Sequence, residues 1–296
     1  MSISESIEVF LLDARTRGLR PASLVHYERM LRPFTHWAAA NDVVDLDQVD
    51  TPIMRQFVLH CQSRGLRPTS IRSLGRVLRA WLNFAKREGL IGESPMQLVR
   101  LPKSPRPAPD CFTHAEIGRL LQAAEESEDP TRETAIVLCL LDTGLRVKEF
   151  TELQRGDLDI ATGAIAIRSA VAKTGTPRIV FLGATARAAL ADYLATLPPM
   201  TADDPLWHGR QGPLTVDGLK TLVQRLGQRA GVHPAGPHKY RRTFATYALR
   251  SGMDPKTAAA ILGHSVDELL KSYVYSDDDA LKASHALHGP VDKLLK

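Results

Sequence analysis

One stretch near the C-terminus combines side-chain types that together could bind an anion. His238 and Arg241 lie three residues apart, which places both on one face of a predicted helix. A second predicted helix ends at Gly263, His264 follows at once, and Tyr273 comes nine residues later. An arginine, two histidines and a tyrosine that converge in this way are suited to the chemistry of a phosphate group.

Arg146 is a second candidate for anion binding, because it follows directly after a predicted helix that is apolar on all sides. We predict that helix over 131–142, and Thr143-Gly-Leu-Arg146 breaks it. A buried arginine needs a carboxylate or a phosphate as its partner. Glu149, about one turn further on, can supply the carboxylate, so a plain salt bridge is the simpler interpretation.

Lys173 lies near the tip of the one strong β-hairpin signal. Strand patterns at 163–168 and 177–182 flank it, and 158–160 could add a third strand. The ordinary interpretation of such a lysine is a solvated turn residue. Helical patterns surround the hairpin, with a capping box that opens one at Thr113 and others at 184–196 and 216–230.

The composition suits a mainly helical protein with one large core or two ordinary ones. The chain has 296 residues, of which 44% are apolar and 6% aromatic. Its net charge of +5 is unevenly distributed, since residues 1–106 contain 16 Lys and Arg against 10 Asp and Glu. The N-terminal third therefore carries the whole excess of positive charge, which suits an acidic partner such as nucleic acid.

The cysteines, the N-terminus and the apolar runs bear on the cellular location of the protein and on whether it binds a membrane or a metal. Cys61, Cys111 and Cys139 have no metal-ligand spacing and are typical of reduced thiols. The N-terminus lacks the pattern of a signal peptide, and no apolar run approaches the roughly 18 to 20 residues that span a bilayer. We therefore expect a cytoplasmic protein with no membrane partner and no metal or other cofactor.

The N-terminal third contains an internal repeat. The segment 17–23, Arg-Gly-Leu-Arg-Pro-Ala-Ser, recurs at 64–70 as Arg-Gly-Leu-Arg-Pro-Thr-Ser, an offset of 47 residues. Each copy combines a loop, a proline start signal and a helix of about four turns. Two copies are too few for a solenoid, so we predict a compact bundle of paired helices over residues 1–100.

Arginines decorate the polar sides of these helices. The second copy contains seven positive charges with no acid between them, which are Arg64, Arg67, Arg72, Arg76, Arg79, Lys86 and Arg87. A solubilising surface usually mixes charge signs, so contact with a nucleic-acid backbone is favoured for this copy. For the first copy, with Arg17, Arg20, Arg29 and Arg32, DNA contact and a solvated face remain equal alternatives.

Four prolines in residues 101–109 predict a stiff, extended linker over 101–110. A second domain is then expected over 111–296. The predicted fold class is mainly α with a small antiparallel β-sheet: an N-terminal helical bundle followed by a mixed α/β domain.

The separated motifs, in this order, resemble the tyrosine recombinase (phage integrase) family over nearly the whole chain, with the size and layout of its Xer type. Four blocks carry the resemblance: Thr143 to Glu149, Lys173 in Ala-Lys-Thr-Gly, His238 to Thr246, and Leu262 to Ser265 followed by Tyr273. The resemblance implies a core-binding, SAM-like domain and a catalytic domain that close as a clamp around double-stranded DNA. It also implies a homo- or hetero-tetramer on two recombination sites.

The resemblance assigns roles that agree with phosphoryl-transfer chemistry. Arg146 and Arg241 would donate to the non-bridging phosphate oxygens. Tyr273 would be the nucleophile, giving a 3′-phosphotyrosyl intermediate through which DNA strands are cleaved and rejoined. The expected catalytic residues are Arg146, Lys173, His238, Arg241, His264 and Tyr273.

The other roles concern proton transfer and support. His238 is the better candidate to accept the tyrosine proton, and Lys173 would protonate the 5′-hydroxyl leaving group. Glu149 would orient Arg146 or His238 without touching substrate. The expected DNA-binding residues are Arg64, Arg67, Arg72, Arg76, Arg79 and Arg242.

Some features leave alternatives open. Lys239 and Tyr240 depart from the acidic and aliphatic residues more usual in their block, and Tyr275 is a rival nucleophile. A type IB topoisomerase would use similar residues without site specificity, but the separate arginine-rich domain argues against it. A catalytically silent DNA-binding protein is disfavoured by the intact set of six catalytic residues.

Overall fold

The computed structural model describes residues 1–103, 110–172 and 175–273, with side chains in its last helix described to residue 270. The chain divides into two compact units, residues 1–106 and 107–296. Most of the linker predicted at 101–110 lies outside the described residues, as do Lys173, Tyr275 and the tail that follows.

Four α-helices form the described part of the N-terminal unit, and they reproduce the sequence repeat. They are α1 Ile3–Thr16, α2 Pro21–Ala39, α3 Thr51–Ser63 and α4 Pro68–Arg87. The loops that join α1 to α2 and α3 to α4 have the same backbone, since Gly18 and Gly65 take φ values of 74° and 72°. Only glycine adopts this left-handed conformation without strain. The paired-helix bundle that the repeat predicted is therefore present.

Aromatic rings fill the core of the N-terminal unit. Phe34 and Trp81 are both 0% exposed, and they come from equivalent positions of the two repeats. Their ring centroids lie 5.8 Å apart, and Phe57 packs edge-on against Phe34 at 5.2 Å. These contacts join α2, α3 and α4, so the arginines of the polar faces are left at the surface of the bundle.

The C-terminal unit is mainly helical. Its described helices are α5 His114–Glu125, α6 Pro130–Thr143, α7 Val147–Thr151, α8 Ala184–Ala195, α9 Val216–Arg229, α10 Pro237–Arg250, α11 Pro255–Leu262 and α12 Val266–Tyr273. Helix α6 lies at the centre, with Ile136 and Val137 both 0% exposed. Its apolar run on all sides predicted this central position.

A three-stranded antiparallel sheet interrupts the helices. It consists of β1 Leu158–Asp159, β2 Ala164–Ile167 and β3 Arg178–Phe181 in the order β1-β2-β3. Ile165 pairs with Val180, and both are buried on the inner face. A second pair of short strands, β4 His208–Gly209 and β5 Gly212–Pro213, was not predicted from the sequence. The predicted fold class, mainly α with small antiparallel sheets, is confirmed.

A small apolar cluster holds the last three described helices together. It contains Ala245 of α10, Ala258, Ala259 and Leu262 of α11, and Leu269 of α12. Within the described part of the chain, no helix is long and apolar enough to cross a membrane.

Candidate active site

Two local signals position the site at the ends of α10 and α11. Pro237 occupies the first turn of α10, where its missing N–H costs no hydrogen bond. Gly263 ends α11 with a φ of 61°, and the backbone N–H of His264 donates to the carbonyl of Ala259 at 3.0 Å. The chain therefore turns sharply at Gly263 and directs His264 back towards α10.

A cleft of about 650 Å³ opens beside these helix ends, a size within the range of ligand-binding pockets. Five residues singled out in the sequence line it: Arg146, His238, Arg241, Arg242 and His264. Lys220 and Gln224, one turn apart on α9, line the same cleft and were not predicted. No sequence signal separates them from other polar residues on that helix.

Arg241 is fixed at the floor of the cleft. It is 2% exposed, and Nη1 donates to the carbonyl oxygen of Gly144 at 2.7 Å. Nη2 donates to the carbonyl of Leu262 at 2.6 Å and lies 2.7 Å from Nε2 of His264. One guanidinium therefore joins α10 to the break after α6 and to the end of α11.

Arg146 is held in a comparable way. Its side chain is 20% exposed, and Nη1 donates to Oε1 of Glu149 at 2.9 Å while Nη2 donates to the carbonyl of Gly263 at 2.8 Å. Its backbone N–H also donates to Oε2 of Glu149 at 3.0 Å. The described bonds use two of its five side-chain N–H donors, and Arg146 lines the cleft.

Arg178 is a further residue that sequence analysis missed, and it lies outside the cleft lining. It is the first residue of β3, and both Nη atoms donate to the carboxylate of Glu149, at 3.1 and 2.7 Å. Its inward position was the available signal, because it shares the inner face of the strand with Val180. A charged side chain on the buried face of a strand requires a charged partner.

Two arginines keep the carboxylate of Glu149 ionised. The residue is 1% exposed, and burial by itself would raise its pKa. Hydrogen bonds from Arg178 and Arg146 outweigh burial and hold the pKa of Glu149 below its ordinary value. The described bonds of this carboxylate go to Arg146 and Arg178, and none goes to His238.

Three arginines bind three consecutive carbonyls at the end of α11. Nε of Arg178 donates to Ile261 at 2.7 Å, Nη2 of Arg241 to Leu262 and Nη2 of Arg146 to Gly263. These carbonyls lie at the negative end of the helix dipole and have no partner inside the helix. The end of α11 therefore determines where all three guanidinium groups lie.

Both histidines of the cleft are less basic than usual. Burial, followed by the positive charge of Arg241, lowers the pKa of His264 to about 4. Burial and the charges of Arg242, Arg241 and Arg146 also lower the pKa of His238, although the ring keeps an exposed edge. Both imidazoles are therefore neutral at pH 7 in the absence of a bound anion.

Two predicted catalytic residues cannot be located in the cleft. Tyr273 is the last residue of α12, and its side chain is not among those described. Lys173 lies outside the described residues, in the connection between β2 and β3. Among the described residues, no group of three or more His, Cys, Asp or Glu side chains is placed to hold a metal ion.

The positive charges of the second repeat fall into two groups, those without and those with a described partner. Arg64, Arg67, Arg72 and Arg76 are exposed, and within the described ranges no acidic side chain lies at ion-pair distance from them. The other positive charges of the second repeat have partners. Arg79 donates to the carbonyl of Met96, Lys86 pairs with Glu93, and Arg87 pairs with Asp13 and Glu88.

Comparison with known families agrees with the motifs and the fold. Residues 110–280 match the model of the phage integrase family, and residues 7–89 match the N-terminal SAM-like domain of phage integrases. The chain belongs to the phage integrase family. The resemblance drawn from the four sequence blocks is confirmed.

Relatives of this phage integrase family member extend over most of its length. Tyrosine recombinase XerC of Oceanobacillus iheyensis is 30% identical over 70% of this chain and 70% of the relative. Among solved structures, the Tn1549 transposon integrase in complex with transposon right end DNA has a TM-score of 0.77 at 21% identity, and the match covers 98% of this chain and 100% of that one. A lambda integrase dimer bound to a COC′ core site has a TM-score of 0.74 at 19% identity, covering 94% and 98%. The predicted enzyme class, a tyrosine recombinase, is confirmed.

Proposed function

We propose that this tyrosine recombinase cuts and rejoins double-stranded DNA at specific sites, and that its cleft binds the phosphodiester to be cut. The observation that carries the proposal is the common anchoring of Arg146 and Arg241 at Gly263 and Leu262, beside His264. Two fixed guanidinium groups and two neutral imidazoles in one cleft suit a phosphate with two non-bridging oxygens.

The arginines would stabilise the charge that develops during the reaction. Attack at phosphorus places additional negative charge on the non-bridging oxygens. Arg146 and Arg241 are already held by carbonyl and carboxylate groups, so they need little reorganisation when that charge appears. Lysine could not reproduce this role, because it has no planar fork of donors.

Tyr273 is the proposed nucleophile. A bond forms between its Oη and the phosphorus while the bond from phosphorus to O5′ breaks, which leaves a 3′-phosphotyrosyl link and a 5′-hydroxyl. His238 accepts the tyrosine proton, since its lowered pKa keeps the ring neutral at pH 7. Lys173 donates a proton to the departing O5′. Attack of a 5′-hydroxyl on the phosphotyrosine reverses each step and rejoins a strand.

The two domains divide DNA binding between them. We propose residues 1–100 as the core-binding domain, 101–110 as a linker and 111–296 as the catalytic domain. Arg64, Arg67, Arg72 and Arg76 are exposed and have no acidic partner among the described residues, which supports backbone contact by the first domain. The Tn1549 integrase in complex with transposon right end DNA and the lambda integrase dimer bound to a core site also support a DNA partner.

Recombination between two sites requires four strands to be cut, with one tyrosine for each strand. We therefore propose a homo- or hetero-tetramer on two recombination sites. A cytoplasmic location agrees with this substrate and with the free thiols of Cys61, Cys111 and Cys139.

Covalent trapping on a suicide substrate tests the proposal. Target sites are first recovered as covalent complexes from a library of duplexes that carry a nick, so that the cleaved end is lost and rejoining cannot occur. Wild-type protein and Tyr275→Phe should both form the covalent complex on a recovered site, whereas Tyr273→Phe should not. Peptide mapping of the complex should identify Tyr273.

Two results would change the assignment. Trapping that persists in Tyr273→Phe and disappears in Tyr275→Phe would move the nucleophile to Tyr275. If the library showed no site preference in trapping, and the protein also relaxed a supercoiled plasmid, site-specific recombination would be contradicted and a topoisomerase favoured.

A further inference from the structure

Arg178 lies behind the candidate active site and contacts elements that form it. Its side chain is 10% exposed, and it is not among the residues that line the cleft. Its two Nη atoms donate to Glu149 and its Nε donates to the carbonyl of Ile261. Arg178 therefore ties strand β3 to the turn that carries Arg146 and to the end of α11.

Glu149 divides its hydrogen bonds equally between two arginines. Arg146 donates two of them, from its backbone and from Nη1, and Arg178 donates the other two. A carboxylate offers about four lone-pair positions, so these bonds use its whole capacity. Because Glu149 is 1% exposed, water has no access to replace a donor that is lost.

The backbone at Gly263 brings Arg178 close to the residues of the cleft. A Cβ atom at this position would lie 3.1 Å from Nη1 of Arg178 and 3.3 Å from Nη1 of Arg146. Both guanidinium groups therefore pack against the residue that precedes His264. A shift of Arg178 must be transmitted to Arg146 through Glu149 and to His264 through the end of α11.

We propose that Arg178 is a positioning residue of the cleavage reaction, an inference that rests on the proposed function. It holds Glu149 in the orientation that aims Arg146 at the phosphate, and it holds the α11 end that leads into His264. In this proposal it does not touch substrate, because Arg178 is not among the residues that line the cleft and its described bonds go to Glu149 and to the end of α11. Misplacement of a reacting group by about 1 Å can cost about 100-fold in rate.

Single-turnover cleavage at saturating DNA is the first test. Arg178→Gln removes the charge and the two-pronged contact, whereas Arg178→Lys keeps the charge but cannot bond Glu149 and Ile261 at once. We expect about 100-fold slower cleavage for Gln, a smaller loss for Lys, and DNA affinity within about threefold of wild type for both. If the Gln variant fails to fold, the Lys variant serves as the test: slower cleavage with unchanged DNA affinity supports the proposal, and wild-type cleavage contradicts it.

Arg168 provides the matched control on the same hairpin. It is paired with Asp157 at 3.1 Å and donates to the carbonyl of Glu152, so it is a similar ion-paired arginine with no bond to Glu149. Arg168→Gln should cleave at the wild-type rate. Equal losses for the Arg168 and Arg178 variants would show a general effect on the hairpin and overturn the proposal.

A double-mutant cycle with Glu149→Gln distinguishes positioning from structural support. If Arg178 acts through Glu149, the Arg178→Gln change should cost little further rate in the Glu149→Gln background. The charged groups that face Glu149 are Arg146 from its own turn and Arg178 from β3. Loss of Arg178 raises the pKa of Glu149. The pH at which the cleavage rate falls on the acid side of the pH–rate profile, its acid limb, should therefore move to a higher value.

The outcomes separate this inference from the proposed function. Additive losses in the cycle together with an unmoved acid limb would overturn the positioning of Arg146 through Glu149, even if wild-type protein forms the Tyr273 adduct normally. Failure of the wild-type protein to form that adduct would instead contradict the proposed function itself.

Discussion

Arg241 donates from Nη2 to Nε2 of His264 across 2.7 Å. A guanidinium can only donate, so Nε2 is the acceptor and the neutral ring carries its proton on Nδ1. Protonation of Nε2 would break this bond and set two positive charges against each other. The contact therefore explains, together with burial, why the pKa of His264 is lowered to about 4.

The first prediction concerns stability in acid. Among the described residues, the charged groups that act on His264 include Arg241, Arg146, His238 and Glu268, and of these four Glu268, at 3.9 Å, is the one that favours the charged ring. Between pH 6.5 and 4 the unfolded chain binds a proton at His264 that the folded protein does not. Stability from this residue is therefore complete above pH 6.5 and falls as the pH drops, by on the order of 3 kcal/mol at pH 4.

Urea unfolding at several pH values measures this effect. His264→Gln keeps a hydrogen-bond acceptor but cannot be protonated, so wild type should lose more stability than the variant between pH 6.5 and 4. His233→Gln removes an exposed histidine before α10 and controls for the loss of an imidazole elsewhere. Parallel pH curves for wild type and His264→Gln would contradict the prediction.

The second prediction tests whether cleavage needs the planar set of N–H donors of the Arg241 guanidinium. Lysine at this position keeps the charge but cannot bond the carbonyls of Gly144 and Leu262 together with His264. Cleavage by Arg241→Lys should be at least about 100-fold slower, as is typical when one charge-stabilising donor is lost. DNA affinity, measured by fluorescence anisotropy, should change by less than about threefold, because most affinity comes from many backbone contacts.

Arg250→Lys is the control for Arg241→Lys, because Arg250 is the exposed last residue of the same helix. It should cleave as wild type does. If Arg241→Lys lost affinity and cleavage to the same degree, Arg241 would be a structural residue.

The third prediction uses Gly263. Alanine here is strained by the φ of 61° and also places its Cβ 3.1 Å from Arg178 and 3.3 Å from Arg146. The strain alone costs about 1 to 2 kcal/mol of stability. Gly231→Ala carries the same strain, with a φ of 63°, but has no atom within 4 Å of the added Cβ. Both variants should lose stability in urea unfolding, and only Gly263→Ala should also lose cleavage rate, because it displaces two arginines.

Equal cleavage by the two glycine variants would contradict this prediction. It would mean that the arginines move aside without consequence for the phosphate site.

Local signals explain how much of the fold could be predicted from the sequence. The capping box at Thr113, the proline at 237 and the glycine at 263 act within one or two turns, and the helices begin and end there. The 47-residue repeat predicted the paired helices because identical loops require identical backbones. Arg146, His238, Arg241 and His264 were found in the same way, through fixed spacing inside short motifs.

The features that could not be predicted from the sequence depend on contacts between residues that are far apart in the chain. Arg178 bonds Glu149, 29 residues away, and Ile261, 83 residues away, and no periodicity reports such pairs. The hydrogen bonds from three arginines to three carbonyls at the end of α11 could not be predicted either. A sequence that ends a helix indicates that the last carbonyls need partners, but it does not identify those partners. The strands β4 and β5 are two residues each, too short for an alternating pattern.

The last prediction compares the two repeats of the N-terminal domain. Arg17 and Arg64 occupy equivalent positions, but Arg17 pairs with Asp13 at 2.9 Å. The residue equivalent to Asp13 in the second repeat is His60, so Arg64 has no such acid one turn before it. An arginine that is already neutralised releases few counterions when DNA binds, whereas an uncompensated one contributes about 0.9 to the slope of log affinity against log salt.

Arg64→Ala should therefore reduce this salt slope by about 1, and Arg17→Ala should leave it nearly unchanged. Anisotropy titrations of duplex DNA between low and moderate salt measure both slopes. His60→Asp supplies the second repeat with the acid that the first repeat has, so it should lower the slope as Arg64→Ala does. Equal reductions for Arg17→Ala and Arg64→Ala would show that the ion pair with Asp13 opens on DNA and that both repeats bind the backbone alike.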